Sequence, residues 1–493
     1  IKEFGGAEGC WRDAEDGELS GNAIAQGSVD SVVGFRMPLQ AFGQSTLRLW
    51  LTAGRDLPFA ASVHSDVLNI GFDLLMHETE LATSKWAGAK PEGLGKLPRR
   101  VADLFNRSVL IIRTQIDKGG AIVASTDSDI MQTARAHYAY MWPRDGALAA
   151  CALDRMGLGD VSRSFFEFCE RLLGQSPVHN GNGAAFMHKY GPDGTLGASW
   201  HPWIVHGSAE IPIQEDGTAL VVWAFGNHFA RYKSRELEEK LYPSLLLPAA
   251  EFLVRHRDAK TKLPLPSWDI WEERRGVHLY TTAVVVAALR NASLVAEAVG
   301  DGKKAAHFSH SAEETAEGLV AHFWDEDQKR FARMLTRDNA GHLAKDMTID
   351  SSMYAVFAFG ALPVNHPHVV ATMHAIGRLL WVKTAVGGLA RYERDYYFRV
   401  SDDFGLVPGN PWIICTLWLA EWGIATAKKT SDLQPAMELL EWVAQSALST
   451  GVLSEQVHPF THEPLSVAPL TWSHAQFVTT TLNYLERLKI FEK

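Results

Sequence analysis

Little in this chain suggests a covalent or metallic staple. Its 493 residues include only four cysteines, Cys10, Cys151, Cys169 and Cys415. They lie far apart, three of them in apolar, helix-like stretches, a pattern of buried free thiols rather than a disulfide framework. None has the spacing of a zinc site, and no His-Glu-x-x-His occurs among the 20 histidines, so no metal site is expected. Basic excess is also missing: 57 acidic against 47 basic residues give a net charge of −10. That balance excludes the basic face a nucleic acid needs and a polybasic membrane anchor. No run reaches the roughly 18 uninterrupted apolar residues of a membrane span. The opening IKEFGGAEGCWRDAEDG lacks the basic start and apolar core of a signal peptide, which reads as cytoplasmic, although this start looks like the middle of something. Nucleophile elbow, phosphate loop and Rossmann fingerprint are all absent; the Gly181-Asn-Gly183 turn lacks the pattern that would follow.

What is present is a globular composition, 46 % hydrophobic and 21 % charged, long enough for about two or three domains. Aromatics are the outstanding feature: 16 Trp, 11 Tyr and 23 Phe. Such a surplus fits a large core or a pocket walled by flat amphipathic rings, and composition does not choose between them.

The first stretch reads as β. Leu47, Leu49 and Leu51 alternate with Arg48, Trp50 and Thr52 over Ser45–Thr52, and Val29–Met37 is similar. Two or three strands cannot form a sandwich alone, so further strands are expected upstream of Ile1. Residues 65–86 turn helical, and 87–96 is a Gly/Pro/Lys linker. From about Leu97 onward, helical spacing recurs in Val101–Ile116, Ala147–Met156, Ala219–Tyr232, Leu237–Val254 and Tyr280–Ala298. It continues in Ala305–Phe323, Tyr354–Phe359, Trp412–Ala427, Pro435–Ala447 and Ala475–Leu488. Paired helices without alternating strands predict a helical toroid rather than a βαβ sheet. The long Trp- and charge-rich loops between them are where function is expected.

Four loops carry candidate chemistry. In Tyr138–Gly146, Pro143 and Asp145 suit a helix start, while Arg144 and Asp145 could grip adjacent hydroxyls between Trp142 and Tyr138. In Pro264–Gly276, Glu272 and Glu273 stand beside Trp271 and Arg274. Taken as structure alone, this is an acidic first helical turn after a Ser267 cap; taken as a loop, a carboxyl against a Trp wall has the raised pKa of a general acid. In Leu453–Glu463, Glu455 reads either as part of a helix start after Ser454 or as an isolated carboxylate that could act as a base, with Pro459 soon stopping any helix. Arg391–Asp395 through Gly409–Trp412 adds another Arg and Trp. Two carboxylate loops, two Arg loops and several Trp fit glycosidic bond cleavage by a pair of carboxyl groups.

These motifs, MWPRDGA (141–147), PIQEDGTALVVWA (212–224), WDIWEERRG (268–276), RYERD (391–395), GNPWIICTLWLA (409–420), LSEQV (453–457) and PLTWSHAQF (469–477), resemble glycoside hydrolase family 15. The resemblance spans roughly 97–493. It implies an (α/α)6 toroid of six inner and six outer helices in a mainly α chain. Residues 1–64, with WRDAEDG and AQGSVDS, look like the end of the β-sandwich that precedes the barrel in bacterial members, and 65–96 like a helical linker. By the same resemblance Glu272 is the general acid and Glu455 the general base of an inverting exo-hydrolase that releases β-glucose from α-glucans or oligosaccharides, with no cofactor. The two carboxyls are then expected about 6.5–9.5 Å apart. Tyr138 matches the tyrosine beside the nucleophilic water, Arg144 and Asp145 the grip on the terminal glucose. Trp142 and Trp472 match pocket walls, Asp269 and Glu273 supporting carboxylates, and Arg391 the leaving-group side. Trp271, Arg274 and Trp412 complete the expected substrate site. Two departures stand out: the tryptophan that fungal members carry shortly before Gln214 is missing from Ala209–Ile213, and Tyr397–Gly409 is long. Glucodextranase and trehalase share the motifs, so linkage stays open; a phosphorylase is disfavoured by Glu455, and a non-catalytic sugar-binding protein by the intact pair.

Overall fold

The structure, a computed structural model, describes all residues except 1, 4–13, 22–23, 25–28, 88–89, 127–136, 198–199, 206, 235–238, 338–342 and 493. Two compact units emerge: one holds the described residues of Ile1–Trp86, the other Ala87–Ser128 and Ala136–Lys493.

The first unit contains little sheet. Lys2–Glu3 pairs antiparallel with Val29–Asp30, and Ser31–Met37 continues as irregular chain. Ser45–Thr52 is not a strand either, and Leu47, Leu49 and Leu51 stand 47, 67 and 94 % exposed. Alternation makes a strand only where a neighbour pairs with it and a second layer covers its apolar face; the described residues supply neither. Cys10 and parts of WRDAEDG and AQGSVDS lie outside the described residues. The helix expected over 65–86 is two helices and begins earlier. Helix α1 (Leu57–Ile70) starts at Asp56, whose carboxylate caps the Phe59 N–H at 2.8 Å. Gly71, at φ 87°, breaks it from α2 (Phe72–Trp86) in a backbone conformation that suits glycine.

The second unit is built from helix pairs. Its outer members are α3 (Arg99–Thr114), α5 (Gly159–Gly174), α7 (Leu247–Arg255), α9 (Gly302–Phe323), α11 (Pro367–Leu379) and α13 (Gln434–Ser446). Each is followed by an inner partner: α4 (Pro143–Arg155), α6 (Glu215–Tyr232), α8 (Leu279–Ala298), α10 (Ala355–Ala358, entered through a 3-10 turn at Ser351–Tyr354), α12 (Ile413–Thr426) and α14 (Thr471–Phe491). Neighbouring inner helices pack in chain order and α14 returns onto α4, closing a six-by-six (α/α) toroid. The outer helices bury one stripe, as Val101, Leu104, Phe105, Val109 and Ile112 do in α3. The inner helices are buried nearly all round. Helix α8 is long and apolar enough to cross a membrane by composition, yet 78 % of that window is buried inside the toroid. Such all-round hydrophobicity is what a central helix needs. Helices α5 and α11 are additions to the stretches expected from the sequence, although Phe165, Phe166, Cys169, Leu172 and Leu173 in α5 follow the helical spacing.

Since every outer helix leads into an inner one, the inner helices all start at one rim, and long loops precede those starts. A four-stranded antiparallel sheet lies there: β1 (Ser267–Trp268), β2 (Arg275–His278), β3 (Met334–Arg337) and β4 (Leu343–Asp346), in the order β4-β3-β2-β1.

Candidate active site

Glu272 sits in a hairpin loop rather than a helix. Ser267 pairs with Gly276 and Trp268 with Arg275, leaving 269–274 as the turn. Asp269 organises it: one carboxylate oxygen accepts from the Glu273 and Arg274 N–H groups at 2.7 and 3.0 Å, and its carbonyl accepts from Glu272 N at 3.0 Å. These bonds hold Glu272 at φ 64°, a left-handed conformation that costs a non-glycine residue on the order of 1–3 kcal/mol. The strain fixes the direction in which the side chain leaves the loop.

Helix α4 supplies the opposite wall. Pro143 takes its first position, where a missing N–H costs nothing, and Trp142 precedes it. The Trp142 indole N–H donates to Glu272 Oε1 at 2.5 Å. Arg144 is buried and acts as a hub: Nε donates to Asp145 at 3.0 Å and Nη1 to Gln214 at 3.1 Å. It lies 3.6 Å from both Asp216 and Glu272, with its guanidinium 5.2 Å from the Trp472 ring centroid. Burial pushes the Glu272 carboxyl above its ordinary range, opposed by the Arg144 charge. Its Oε2 is buried without a hydrogen bond among the described residues.

Glu455 is also outside any helix. It precedes a strand pair, Gln456–Val457 with Pro464–Leu465, and its backbone is tied to Val467 and Ile413. Ser466 donates to Oε2 at 2.6 Å, Gln456 stands 3.5 Å from the same atom, and the Tyr138 hydroxyl is 3.4 Å from Oε1. Burial raises the Glu455 carboxyl to about 7 despite these donors. Tyr138 in turn shares a hydrogen bond with the Tyr397 hydroxyl at 2.8 Å, and burial holds its phenol protonated. The Tyr138 and Trp142 rings are 5.7 Å apart, one beside Glu455 and the other beside Glu272.

The remaining predicted residues pack around this pair. Arg391 is buried against Asp395 through Nε at 2.8 Å and Nη2 at 2.7 Å, and also meets Glu273. Its guanidinium lies 5.1 Å from the Trp271 ring and 4.9 Å from that of Trp412. Glu273 further accepts from Arg274 and the Tyr392 hydroxyl, each at 2.6 Å. Trp271 donates to Asp350 and packs edge-on against Trp412. The indole N–H groups of Trp412 and Trp472 are buried without partners among the described residues.

Sequence reasoning left several residues without a role here. Gln214 bridges Arg144 and His201, and His201 stacks on Trp268 at 4.2 Å. Ser466 and Tyr397 flank Glu455 and Tyr138. Trp200 joins the same wall, its ring 5.7 Å from Trp142 and 6.0 Å from Tyr138.

A helical ring with paired carboxyl loops on one rim is a shared architecture, and comparison with known proteins narrows it. The profile of the family described as glycosyl hydrolases family 15 matches residues 101–482. The chain belongs to glycosyl hydrolase family 15. It is similar to an uncharacterized glycosyl hydrolase of Methanocaldococcus jannaschii, 28 % identical over 390 residues, covering 77 % of this chain and 55 % of that one. It is also similar to trehalase 2 of Sulfolobus acidocaldarius, 25 % identical, covering 79 % of this chain and 65 % of the relative. Among solved structures, a bacterial glucoamylase complexed with acarbose superposes with a TM-score of 0.68 at 20 % identity, covering 88 % of this chain and 62 % of that one. A glucoamylase from Saccharomycopsis fibuligera gives 0.61 at 16 % identity, covering 78 % and 95 %. At these identities the structures establish the fold. This family 15 chain thus spans between half and two-thirds of the length of the relatives named first.

Proposed function

We propose that this family 15 enzyme is an inverting, exo-acting hydrolase that releases β-D-glucose from the non-reducing ends of α-glucans, with α-1,4 malto-oligosaccharides as its best substrates. One observation carries the reading. Adjacent rings, Trp142 and Tyr138, reach two buried carboxyls that belong to different loops, Glu272 and Glu455, and Arg144, paired with Asp145, lies 3.6 Å from the first of them. Arg144 and Asp145 grip the terminal glucose. Glu272 is the general acid: its uncommitted Oε2 protonates the glycosidic oxygen as the bond breaks. Glu455 is the general base: ionised, it takes a proton from a water held near the Tyr138 and Tyr397 hydroxyls. That water attacks the anomeric carbon from the face opposite the leaving group.

The likeness to trehalase 2 supports a second reading, hydrolysis of trehalose at the same carboxyls. Assaying maltotriose, isomaltotriose and trehalose side by side, in phosphate-free buffer, separates the two. Fastest release of glucose from maltotriose supports α-1,4 specificity; fastest hydrolysis of trehalose or isomaltotriose overturns it. Phosphate-dependent cleavage would make the chain a phosphorylase, and no turnover of any sugar would make it a binding protein. Glu272→Gln should retain substrate binding and lose nearly all turnover; near-normal turnover would remove Glu272 from the acid role.

A further inference from the structure

Lys189 is the largest charged side chain buried completely, at 0 % exposure, and its Nζ has no hydrogen-bond partner among the described residues. A lysine ammonium out of water without a carboxylate against it is costly, so its position calls for a compensating interaction. What surrounds it is aromatic. Nζ lies 3.6 Å from the Trp200 ring centroid, 4.9 Å from that of Tyr140 and 5.1 Å from that of Trp142. These distances are within the range of cation–π attraction.

The backbone builds a place for it. Tyr190 exchanges hydrogen bonds with Met141 at 2.8 and 2.9 Å, aligning the Lys189 segment with the strand-like run into Trp142. Gly197 donates to the Lys189 carbonyl at 3.0 Å, and a Cβ at Gly197 would meet the Lys189 Cγ at 2.7 Å. Only glycine at 197 leaves room for the lysine stem. The ammonium thus lies over the ring whose edge N–H donates to Glu272 Oε1.

We propose that Lys189 is a positioning residue for Glu272: its ammonium clamps the Trp142–Trp200 wall that hydrogen-bonds this carboxyl and favours the ionised carboxylate, thereby setting the upper pH limit of hydrolysis. The inference rests on the reading of Glu272 as the acid. Groups facing Glu272 are Arg144 and Asp145 from α4, the Gln214 amide, Lys189, the Trp142 indole and the Tyr138 phenol, which burial keeps neutral. Those facing Lys189, besides the rings, are Glu272, His188 and His201. Burial drops both histidines, to about 3 and about 4, so they stay neutral, and Lys189 and Arg144 are the cations of this pocket. Burial also lowers the Lys189 ammonium to about 8, opposed by Glu272, which leaves it charged through the working range of the acid.

A general acid works while protonated, so removing the cation raises the pKa of Glu272 and moves the alkaline limb of kcat/KM upward. Lys189→Met and Lys189→Gln, checked for native melting, should each shift that limb up by at least about half a pH unit. Lys189→Arg, which keeps the charge, should leave it in place. A folded neutral variant with an unmoved limb overturns the proposal, as does a Lys189→Arg shift equal to that of Lys189→Gln. Should the neutral variants not fold, the decision passes to the reciprocal effect, since two coupled sites shift each other equally. In Glu272→Gln, isosteric with the parent, the Lys189 ammonium followed by carbon-13 NMR should titrate at least about half a pH unit lower than in the parent. An unchanged lysine titration overturns the proposal. This titration does not depend on turnover, so a Glu272→Gln variant that stays active removes the acid reading while leaving the coupling to be judged separately.

Discussion

Ser466→Ala tests how the pocket sets the ionisation of Glu455. The Ser466 hydroxyl is 2.6 Å from Glu455 Oε2, the shortest of the contacts to that carboxyl. It donates to the charged form and so opposes the burial that lifts the carboxyl to about 7. A hydrogen bond to a charged group contributes about 1.5–3 kcal/mol, and a tenfold change in an ionisation constant corresponds to about 1.4 kcal/mol. Removing the hydroxyl should therefore raise the Glu455 pKa by about one. A general base works only when ionised, so the acidic limb of kcat/KM moves to higher pH by the same interval. On that limb kcat/KM falls about tenfold, while the alkaline limb, set by Glu272, keeps its position. The assay is initial-rate hydrolysis between pH 4 and 9 in buffers of constant ionic strength. An acidic limb that stays in place, or moves to lower pH, would refute the role given to Ser466 and with it the identity of Glu455 as the base.

Trp142→Phe removes the N–H donated to Glu272 while keeping an aromatic wall; the acid's pKa should rise, kcat should fall by about tenfold, and the alkaline limb should move up, all read from a pH–rate profile. Glu455→Gln should abolish hydrolysis and stabilise the fold toward alkaline pH. The sign follows from the raised carboxyl: its contribution to stability is fully present below the ordinary carboxyl pKa and is lost as pH rises through about 7, a loss on the order of 3 kcal/mol that glutamine does not suffer. Melting temperatures of the parent and the variant should therefore diverge from pH 5 to pH 8, and parallel curves would contradict the burial argument. Asp395→Asn strips the buried Arg391 of its bidentate partner and should cost about 3–5 kcal/mol in denaturant unfolding, whereas breaking an exposed pair such as Lys329–Glu326 should leave the unfolding midpoint nearly unchanged.

Much of the toroid was legible because its helices carry apolar residues at helical spacing and because Pro or acidic residues mark their starts, as Pro143 and Glu215 do. The pairing of outer and inner helices was not, since local spacing says nothing about which helix becomes the centre. Ser45–Thr52 alternates as a strand and forms none, because alternation records what a residue could bury and not whether a partner is there. Within the site, Glu272, Glu455, Arg144 and Trp142 stood out as charged or aromatic residues crowded into loops bounded by Pro and Gly. Their local conformations did not: both glutamates were open to a helical reading, and hairpin and strand pairings decided otherwise. Ser466, Trp200 and Lys189 lacked any local signal. Each gains its role from a neighbour brought in by the fold, Ser466 from the turn after Pro459 and Lys189 from the bridge between Tyr190 and Met141.

The account stands on two carboxyls acting from opposite faces of one sugar. Proton NMR of the first glucose released from maltotriose, recorded before mutarotation, tests this most directly. The account predicts the β-anomer, with the α-anomer growing in only as the sugar equilibrates. Initial α-glucose would contradict it, because retention demands a covalent glycosyl-enzyme and leaves no place for water activated by Glu455.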